Sequence, residues 1–184
     1  MNKIPTIFER DWNGDRSRVT EQPADACAWV FNGEGRATRK YDGTCVMHDT
    51  DGWWARREVK AGAAAPHGFV AISTDPETGK TIGWEPIDQS PFARFHAEAA
   101  AAKPDWTWDN GTYELCGPKI QKNPEGFDQH TLIYHDDAET IDVPDRTYDG
   151  IRAALAAVPH EGIVFHHPDG RRAKIKARDY GLRR

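Results

Sequence analysis

Four short stretches of the chain place lysine or glutamate among apolar residues, where a charged side chain needs a chemical or structural reason. They are KYDG with Lys40 and Asp42, YELCG with Glu114, EGIVF with Glu161, and KIK with Lys174 and Lys176. A lysine amine, with a reference pKa of about 10.4, becomes a nucleophile when nearby cations and a closed pocket favour its neutral form. Together the stretches raise the question of whether the chain uses a reactive lysine. Each residue alone is equally compatible with the exposed face of an antiparallel sheet.

The composition is that of a globular protein with a substantial core. The chain has 184 residues, of which 38% are hydrophobic and 29% charged, and this length suits one domain. No apolar run approaches the roughly 20 residues of a membrane helix, and the N-terminus lacks an apolar signal-peptide core. Cys27, Cys45 and Cys116 have no CxxC spacing, which favours free thiols in a reducing compartment. We therefore expect a cytoplasmic protein that does not contact a membrane.

Charge is distributed unevenly along the chain. The net charge of −5 at pH 7 argues weakly against nucleic-acid binding, but an acidic segment over residues 124–150 precedes a basic C-terminus. Such a basic end can contact phosphate groups even on an acidic protein. The candidate RNA-binding residues are Arg171, Arg172, Arg178, Arg183 and Arg184. A solvated charged tail is the alternative interpretation.

Strand patterns predominate over helix patterns. The turn dipeptide Asp51-Gly52 predicts a hairpin between GTCVMHD and GWWARREV. Further strands are predicted for FVAISTD, TIGWEPI, GTYELCG, HTLIYH, EGIVFHH and RAKIKAR. Lys174 and Lys176 lie two residues apart on the last of these, so both should point to one face.

Two helices are predicted from their capping residues. The first follows Ser90-Pro91 and ends at Pro104, and the second starts near Thr147 and ends before Pro159. Together with the strands, they predict an α+β fold of mainly antiparallel sheets with a few helices.

The order of the four charged stretches resembles that of the covalent nucleotidyltransferase superfamily, which includes ligases and capping enzymes. KYDG is similar to motif I of that superfamily, GTYELCGPKIQ to motif III, EGIVF to motif IV and KIK to motif V. The strings YELCGPKIQ, EGIVFHHPDG and KIKARDYGL resemble in particular the small ATP-dependent RNA ligases of phages and bacteria. The resemblance runs from about Arg36 to Leu182. It implies one nucleotidyltransferase (adenylation) domain over residues 1–184, with no OB-fold or other C-terminal domain.

The resemblance implies which residues are catalytic. Lys40 would attack the α-phosphate of ATP, expel pyrophosphate and form a lysyl–AMP intermediate. Lys174 and Lys176 would favour the neutral amine of Lys40 and neutralise charge on the phosphate. Glu161 would help to hold the catalytic magnesium, or manganese, through water.

The resemblance also implies nucleotide contacts. Asp42 would orient Lys40, Gly43 would let the backbone pass closely, and Glu114 would accept a hydrogen bond from a ribose hydroxyl. The superfamily places a phosphate- or ribose-binding arginine on the strand after motif I. That residue is Arg56 or Arg57, of which only one can point inward, and we favour Arg56.

Superfamily members also hold adenine between an aromatic and an aliphatic side chain. Ile163 and Val164 are the candidates for the aliphatic partner, with Ile163 included in the expected nucleotide site. The aromatic partner is left open, because no motif on the chain selects it.

The function that the resemblance implies is ATP-dependent RNA ligation by a monomer, with RNA carrying 5′-phosphate and 3′-hydroxyl ends as its partner. A phage-encoded enzyme would act in the host cytoplasm. Two enzyme alternatives stay open: a GTP-dependent capping-type guanylyltransferase and a DNA nick ligase. Many DNA ligases carry arginine at the position of Cys45, which disfavours the latter. The non-enzyme alternative is an RNA- or nucleotide-binding relative that has lost the chemistry. Such a relative would not be expected to keep all five charged residues Lys40, Glu114, Glu161, Lys174 and Lys176.

Overall fold

The computed structural model describes residues 3–105 and 107–183, which divide into two compact units. Asp42–Asp137 form one, called the inserted unit. Lys3–Tyr41 together with Ala138–Arg184 form the other, called the flanking unit. The boundary falls inside KYDG, between Tyr41 and Asp42. Each unit has its own hydrophobic core, and the expectation of one domain over residues 1–184 stays a prediction.

The secondary structure is mainly strand, as the hairpin patterns predict. The strands are β1 Phe8–Arg10, β2 Val19–Pro23, β3 Arg36–Lys40, β4 Thr44–Asp49, β5 Gly52–Val59, β6 Val70–Thr74, β7 Thr81–Pro86, β8 Gly111–Cys116, β9 Thr131–Tyr134, β10 Gly162–His166 and β11 Arg172–Lys176. The helices are α1 Ala28–Phe31, α2 Ala93–Ala101 and α3 Tyr148–Ala156. In the part of the chain that the model covers, none of the helices has the length and apolar character to cross a membrane.

The inserted unit is built on a six-stranded sheet in the order β6-β7-β5-β4-β8-β9, and every neighbouring pair is antiparallel. Helix α2 covers one face, where Ala99 packs with Val46, Tyr113 and Leu115 in the core. Ser90 receives a 3.2 Å hydrogen bond on Oγ from the Phe92 amide just before the helix. The N-cap of α2 is Phe92, however, which makes no side-chain cap, and the helix begins at Ala93, so the prediction of Ser90 as the capping residue and Pro91 as the first helical residue is wrong. Two of the hairpins predicted from the sequence, β4-β5 and β6-β7, are present in this unit. The third, β10-β11, is present in the flanking unit.

The flanking unit contains the three-stranded antiparallel sheet β11-β10-β3 and the two-stranded pair β1-β2. Helix α3 packs Ile151 and Leu155, both almost fully buried, into the core beside Phe165. Thr147 accepts a 3.2 Å hydrogen bond from the Gly150 amide, which confirms it as the residue that caps α3. The overall class is therefore α+β with mainly antiparallel sheets.

Both edges of the three-stranded sheet are covered by irregular chain. On the β11 side, Lys174 exchanges backbone hydrogen bonds with Pro5 and Ile7, at 2.9 and 3.0 Å. On the β3 side, the Arg39 amide donates to the Glu139 carbonyl at 2.7 Å. The edge strands that carry lysines therefore have their outward backbone groups bonded.

Strand β10 alternates strictly between the core and the opposite face. Ile163 and Phe165 are 1% and 0% exposed in the core, whereas Val164 lies half-buried on the other face. A strand of period 2 requires this separation. Of the two aliphatic candidates named from the sequence, Ile163 is thus a core residue and Val164 lies on the opposite face of the sheet.

Ile163→Ala is expected to lower the free energy of unfolding by about 2–5 kcal/mol, because it leaves a cavity in the core. Val164→Ala removes a less buried side chain and is expected to lower the free energy of unfolding by clearly less. Urea-unfolding curves of both variants test the alternation. Equal losses would contradict the assignment of the two faces.

Candidate active site

The Glu161 carboxylate lies between the ammonium groups of Lys40 and Lys176 in the flanking unit. Lys40 Nζ donates to Glu161 Oε2, and Lys176 Nζ donates to Oε1 at 2.5 Å. The lysine side chains are 19% and 18% exposed, and that of Glu161 is 10% exposed. Lys40 is 121 positions from Glu161, whereas Lys176 is only 15 positions from it on the β10-β11 hairpin. Two distant parts of the sequence therefore supply one compact cluster of charges.

The strand register explains why these three residues meet. Gly162, the first residue of β10, is paired with Lys40 on one side and Lys176 on the other. Glu161 directly precedes it, and its carbonyl accepts a 2.9 Å hydrogen bond from the Ala177 amide. A Cβ atom on Gly162 would lie 2.1 Å from the Ile175 carbonyl oxygen. Glycine is therefore required for the close approach of β10 and β11 at the cluster.

The charges of the cluster shift the ionisation of Glu161. Burial alone would raise the pKa of its carboxyl, but Lys40 and Lys176 outweigh that effect and the pKa is lowered. The carboxylate is therefore ionised at neutral pH. Both of its oxygens are occupied by lysines.

Lys174 lies on the same face as this cluster. It is paired with Val164, which is paired in turn with Thr38, and direct cross-strand partners share a face of a sheet. We call the face that carries Thr38, Lys40, Val164, Lys174 and Lys176 the lysine face. The prediction that Lys174 and Lys176 point to one side of their strand is confirmed by the alternating burial of β11.

Glu114 has a different role in the inserted unit. Its Oε1 accepts a 3.0 Å hydrogen bond from the Gly43 amide. A Cβ on Gly43 would lie 2.3 Å from the Leu115 carbonyl oxygen, so glycine is required where the chain passes β8. Asp42, one residue earlier, donates its amide to Glu125 Oε1 at 2.9 Å. The chain at Asp42 and Gly43 is thus held by two carboxylates, of which the sequence singled out only Glu114.

His135 is a further residue that pattern reasoning did not assign to this site. Its Nε2 lies 3.1 Å from Glu114 Oε2, and its Nδ1 lies 2.8 Å from Thr112 Oγ1. The imidazole therefore orients the carboxylate of Glu114. The available signal was the position of His135 directly after β9, the strand that pairs with β8.

The register of the inserted sheet separates the two candidate arginines. Arg56 shares the parity of Trp54, which pairs with Met47, and this set lies on the face of Glu114. Arg57 has the opposite parity and lies 3.8 Å from the buried carboxylate of Glu85. The choice of Arg56 is therefore consistent with the strand geometry.

The C-terminal arginines occupy different environments. Arg171 lies in the turn before β11, where its Nε donates to Asp169 Oδ2 at 2.8 Å. Arg172 pairs with His166 and has the parity of the lysine face. Arg178 and Arg183 are exposed beyond β11, and Arg184 lies outside the described residues.

A divalent cation fits this site only in a particular way. Within residues 3–105 and 107–183, no group of three or more histidine, cysteine, aspartate or glutamate side chains could enclose a metal. Magnesium, however, commonly keeps several waters and bridges phosphates with one or two carboxylates. Both oxygens of Glu161 accept hydrogen bonds from lysines, so a magnesium or manganese ion at this carboxylate would have to displace one of them.

No protein-family model matches the chain, and a search of curated proteins finds no significant match.

Glu161→Gln is expected to lower the free energy of unfolding at neutral pH by about 1–3 kcal/mol, because two largely buried ammonium groups lose their shared carboxylate. The pKa of Glu161 is lowered from 4.5 in the folded chain. The carboxylate therefore contributes fully to the free energy of unfolding above pH 4.5, and this contribution is lost as the pH falls through the lower pKa of the folded state. Urea unfolding should show that the difference in free energy of unfolding between wild type and variant becomes smaller from pH 7 toward acid pH. A difference that does not change with pH would contradict the conclusion that the ionised Glu161 carboxylate stabilises the fold.

Proposed function

We propose that the protein is an ATP-dependent RNA ligase with the nucleotidyltransferase (adenylation) fold. The observation that carries the proposal is the cluster of Lys40, Glu161 and Lys176 on one face of the β11-β10-β3 sheet. These residues come from the three segments that resemble motifs I, IV and V. An arrangement that served only solubility would not require two largely buried lysines around one carboxylate.

The first step is the attack of the Lys40 amine on the α-phosphorus of ATP. A P–N bond forms, the bond to the β-phosphate oxygen breaks, and pyrophosphate leaves. Lys40 must lose a proton first, and the neighbouring positive charge of Lys176 favours that loss. The lowered pKa of Glu161 makes its carboxylate a weak base, so the proton passes to water.

The charged side chains of the lysine face stabilise negative charge during this step. Lys174 and Lys176 are placed two residues apart on β11, and their ammonium groups would neutralise the α-phosphate oxygens. Glu161 would hold a hydrated magnesium ion, which supplies additional positive charge to the phosphates. Lys40 is released from Glu161 when it becomes neutral, which frees one carboxylate oxygen.

Nucleotide contacts are proposed separately for the inserted unit. Glu114 is fixed by the Gly43 amide and by His135, and it would accept a hydrogen bond from a ribose hydroxyl. Arg56 lies on the same face of its sheet and would contact a phosphate or the ribose. His135 would thereby act as a positioning residue for Glu114.

The second and third steps join two RNA ends. AMP passes from Lys40 to a 5′-phosphate, which creates a pyrophosphate-linked adenylate. A 3′-hydroxyl then attacks that phosphate and releases AMP. Lys40 forms a covalent bond in the first step only, whereas the other cations of the lysine face can stabilise phosphate charge throughout.

Incubation of the purified protein with ATP and magnesium is expected to add one AMP to its intact mass, and Lys40→Ala should abolish that adduct. Lys60→Ala, which removes an exposed lysine of the inserted unit, is the matched control and should keep it. A GMP adduct from GTP would favour the capping alternative. If neither nucleotide forms an adduct after pyrophosphate has removed any prior AMP, the proposal fails.

Lys40→Ala is also expected to seal a pre-adenylated RNA strand to a 3′-hydroxyl end at a rate within about tenfold of wild type, since the covalent role of Lys40 precedes that step. Gel analysis of nicked and single-stranded RNA and DNA substrates measures the sealing and the strand preference. Complete loss of sealing in a correctly folded variant would show that Lys40 acts beyond the first step.

A further inference from the structure

The flanking unit contains a cleft of about 530 Å³ whose charged lining is almost entirely arginine. The arginines of this cleft are Arg10, Arg16, Arg18, Arg178 and Arg183. We call it the basic cleft. Three of the five come from the N-terminal segment, whose charge pattern does not stand out in the sequence, and two come from the C-terminal end. Several guanidinium groups close together in a concave surface attract anions electrostatically.

Two of these arginines are built into the wall of the cleft. Arg10 Nη1 donates to Asp179 Oδ1 at 2.8 Å and to the Ser17 carbonyl at 3.2 Å. Arg18 Nη1 donates to the Arg178 carbonyl at 3.1 Å. The left-handed Gly181 makes room for Arg18, because a Cβ there would lie 2.0 Å from Arg18 Nη1.

The other three arginines form an exposed rim. Arg16, Arg178 and Arg183 are all exposed, and no carboxylate among the described residues forms an ion pair with any of them. The side chain of Arg16 lies over the ring of Trp12, at 5.9 Å from its centroid. In the wall, Arg10 forms an ion pair with Asp179 at 2.8 Å, and Arg18 forms one with Asp15 at 3.3 Å. The rim therefore leaves an excess of positive charge.

The basic cleft is linked directly to the lysine face. Asp179 is 2% exposed and uses its second oxygen, Oδ2, to accept a 2.9 Å hydrogen bond from the Lys176 amide. One carboxylate thus anchors both Arg10 of the cleft and the end of the strand that carries Lys176. A polyanion seated in the cleft would lie next to the end of β11.

We propose that the basic cleft binds the phosphate backbone of the RNA strand that is to be joined, which rests on the proposed ligase function. Guanidinium groups bind phosphate oxygens through paired hydrogen bonds. Several rim arginines with no carboxylate partner suit successive phosphates of a strand better than one small anion. The cleft contacts only phosphates, so it positions the strand without reading its sequence.

The test measures binding of a fluorescein-labelled single-stranded RNA by anisotropy, without ATP or magnesium. The variant Arg16→Ala/Arg178→Ala/Arg183→Ala removes the rim but keeps Asp179 and the Arg178 carbonyl. The control Lys3→Ala/Lys60→Ala/Arg152→Ala removes three exposed cations elsewhere, so both variants lose the same charge. Thermal unfolding midpoints verify that both are folded.

The rim variant is expected to bind RNA about 100-fold more weakly than wild type at ~0.1 M salt, if each arginine contributes one phosphate contact. The slope of log K against log salt should fall in magnitude by about 2, at roughly 0.7 per contact with a single strand. The control should change affinity by less than about threefold. Equal losses in the two variants, or none in the rim variant, would overturn the proposal.

Tripolyphosphate distinguishes a strand site from a site for a free polyphosphate. It should displace the RNA only weakly, and displacement as effective as that by unlabelled RNA would overturn the assignment to a strand. The intact-mass assay on the same wild-type protein separates the two proposals. If the AMP adduct forms but RNA binding does not depend on the rim arginines, the proposed ligase function holds and the proposed role of the cleft fails. If RNA binding depends on the rim arginines but no adduct forms, the cleft binds RNA and the proposed ligase function fails.

Discussion

The ion cluster around Glu161 is the constraint on which the flanking unit's site depends. A carboxylate that is 10% exposed must be compensated, and two ammonium groups compensate it here. That pairing fixes the end of β3, the start of β10 and the end of β11 relative to one another. It also explains the lowered pKa of Glu161.

The sheet register extends this local constraint over one whole face of the sheet. Because β10 pairs with β3 and β11, every second residue of all three strands points to the same side. The other side holds Ile163, Phe165 and Ile175 in the core. One register therefore separates apolar residues that stabilise the fold from cations that can meet phosphates. Asp179 extends the same arrangement to the basic cleft through the Lys176 amide.

Sequence patterns predicted the hairpins and two of the helices because these features depend on local signals. They did not predict β3, whose buried residues are only Ala37 and Thr38, nor the short helix α1. The sequence offered Ile163 and Val164 as aliphatic candidates and favoured Ile163, and strand parity assigned Ile163 to the core. His135 and Glu125 entered the environment of motifs I and III only through tertiary contacts.

The sequence by itself determined the class of the fold, the residue types available for chemistry and the order of the charged motifs. These follow from turn dipeptides, strand alternation and capping residues, which act over a few positions. Only the tertiary structure decided that Lys40, Glu161 and Lys176 touch, and that arginines from both ends of the chain line one cleft. Contacts between residues more than a hundred positions apart depend on strand pairing across the whole unit, and no local pattern encodes that pairing.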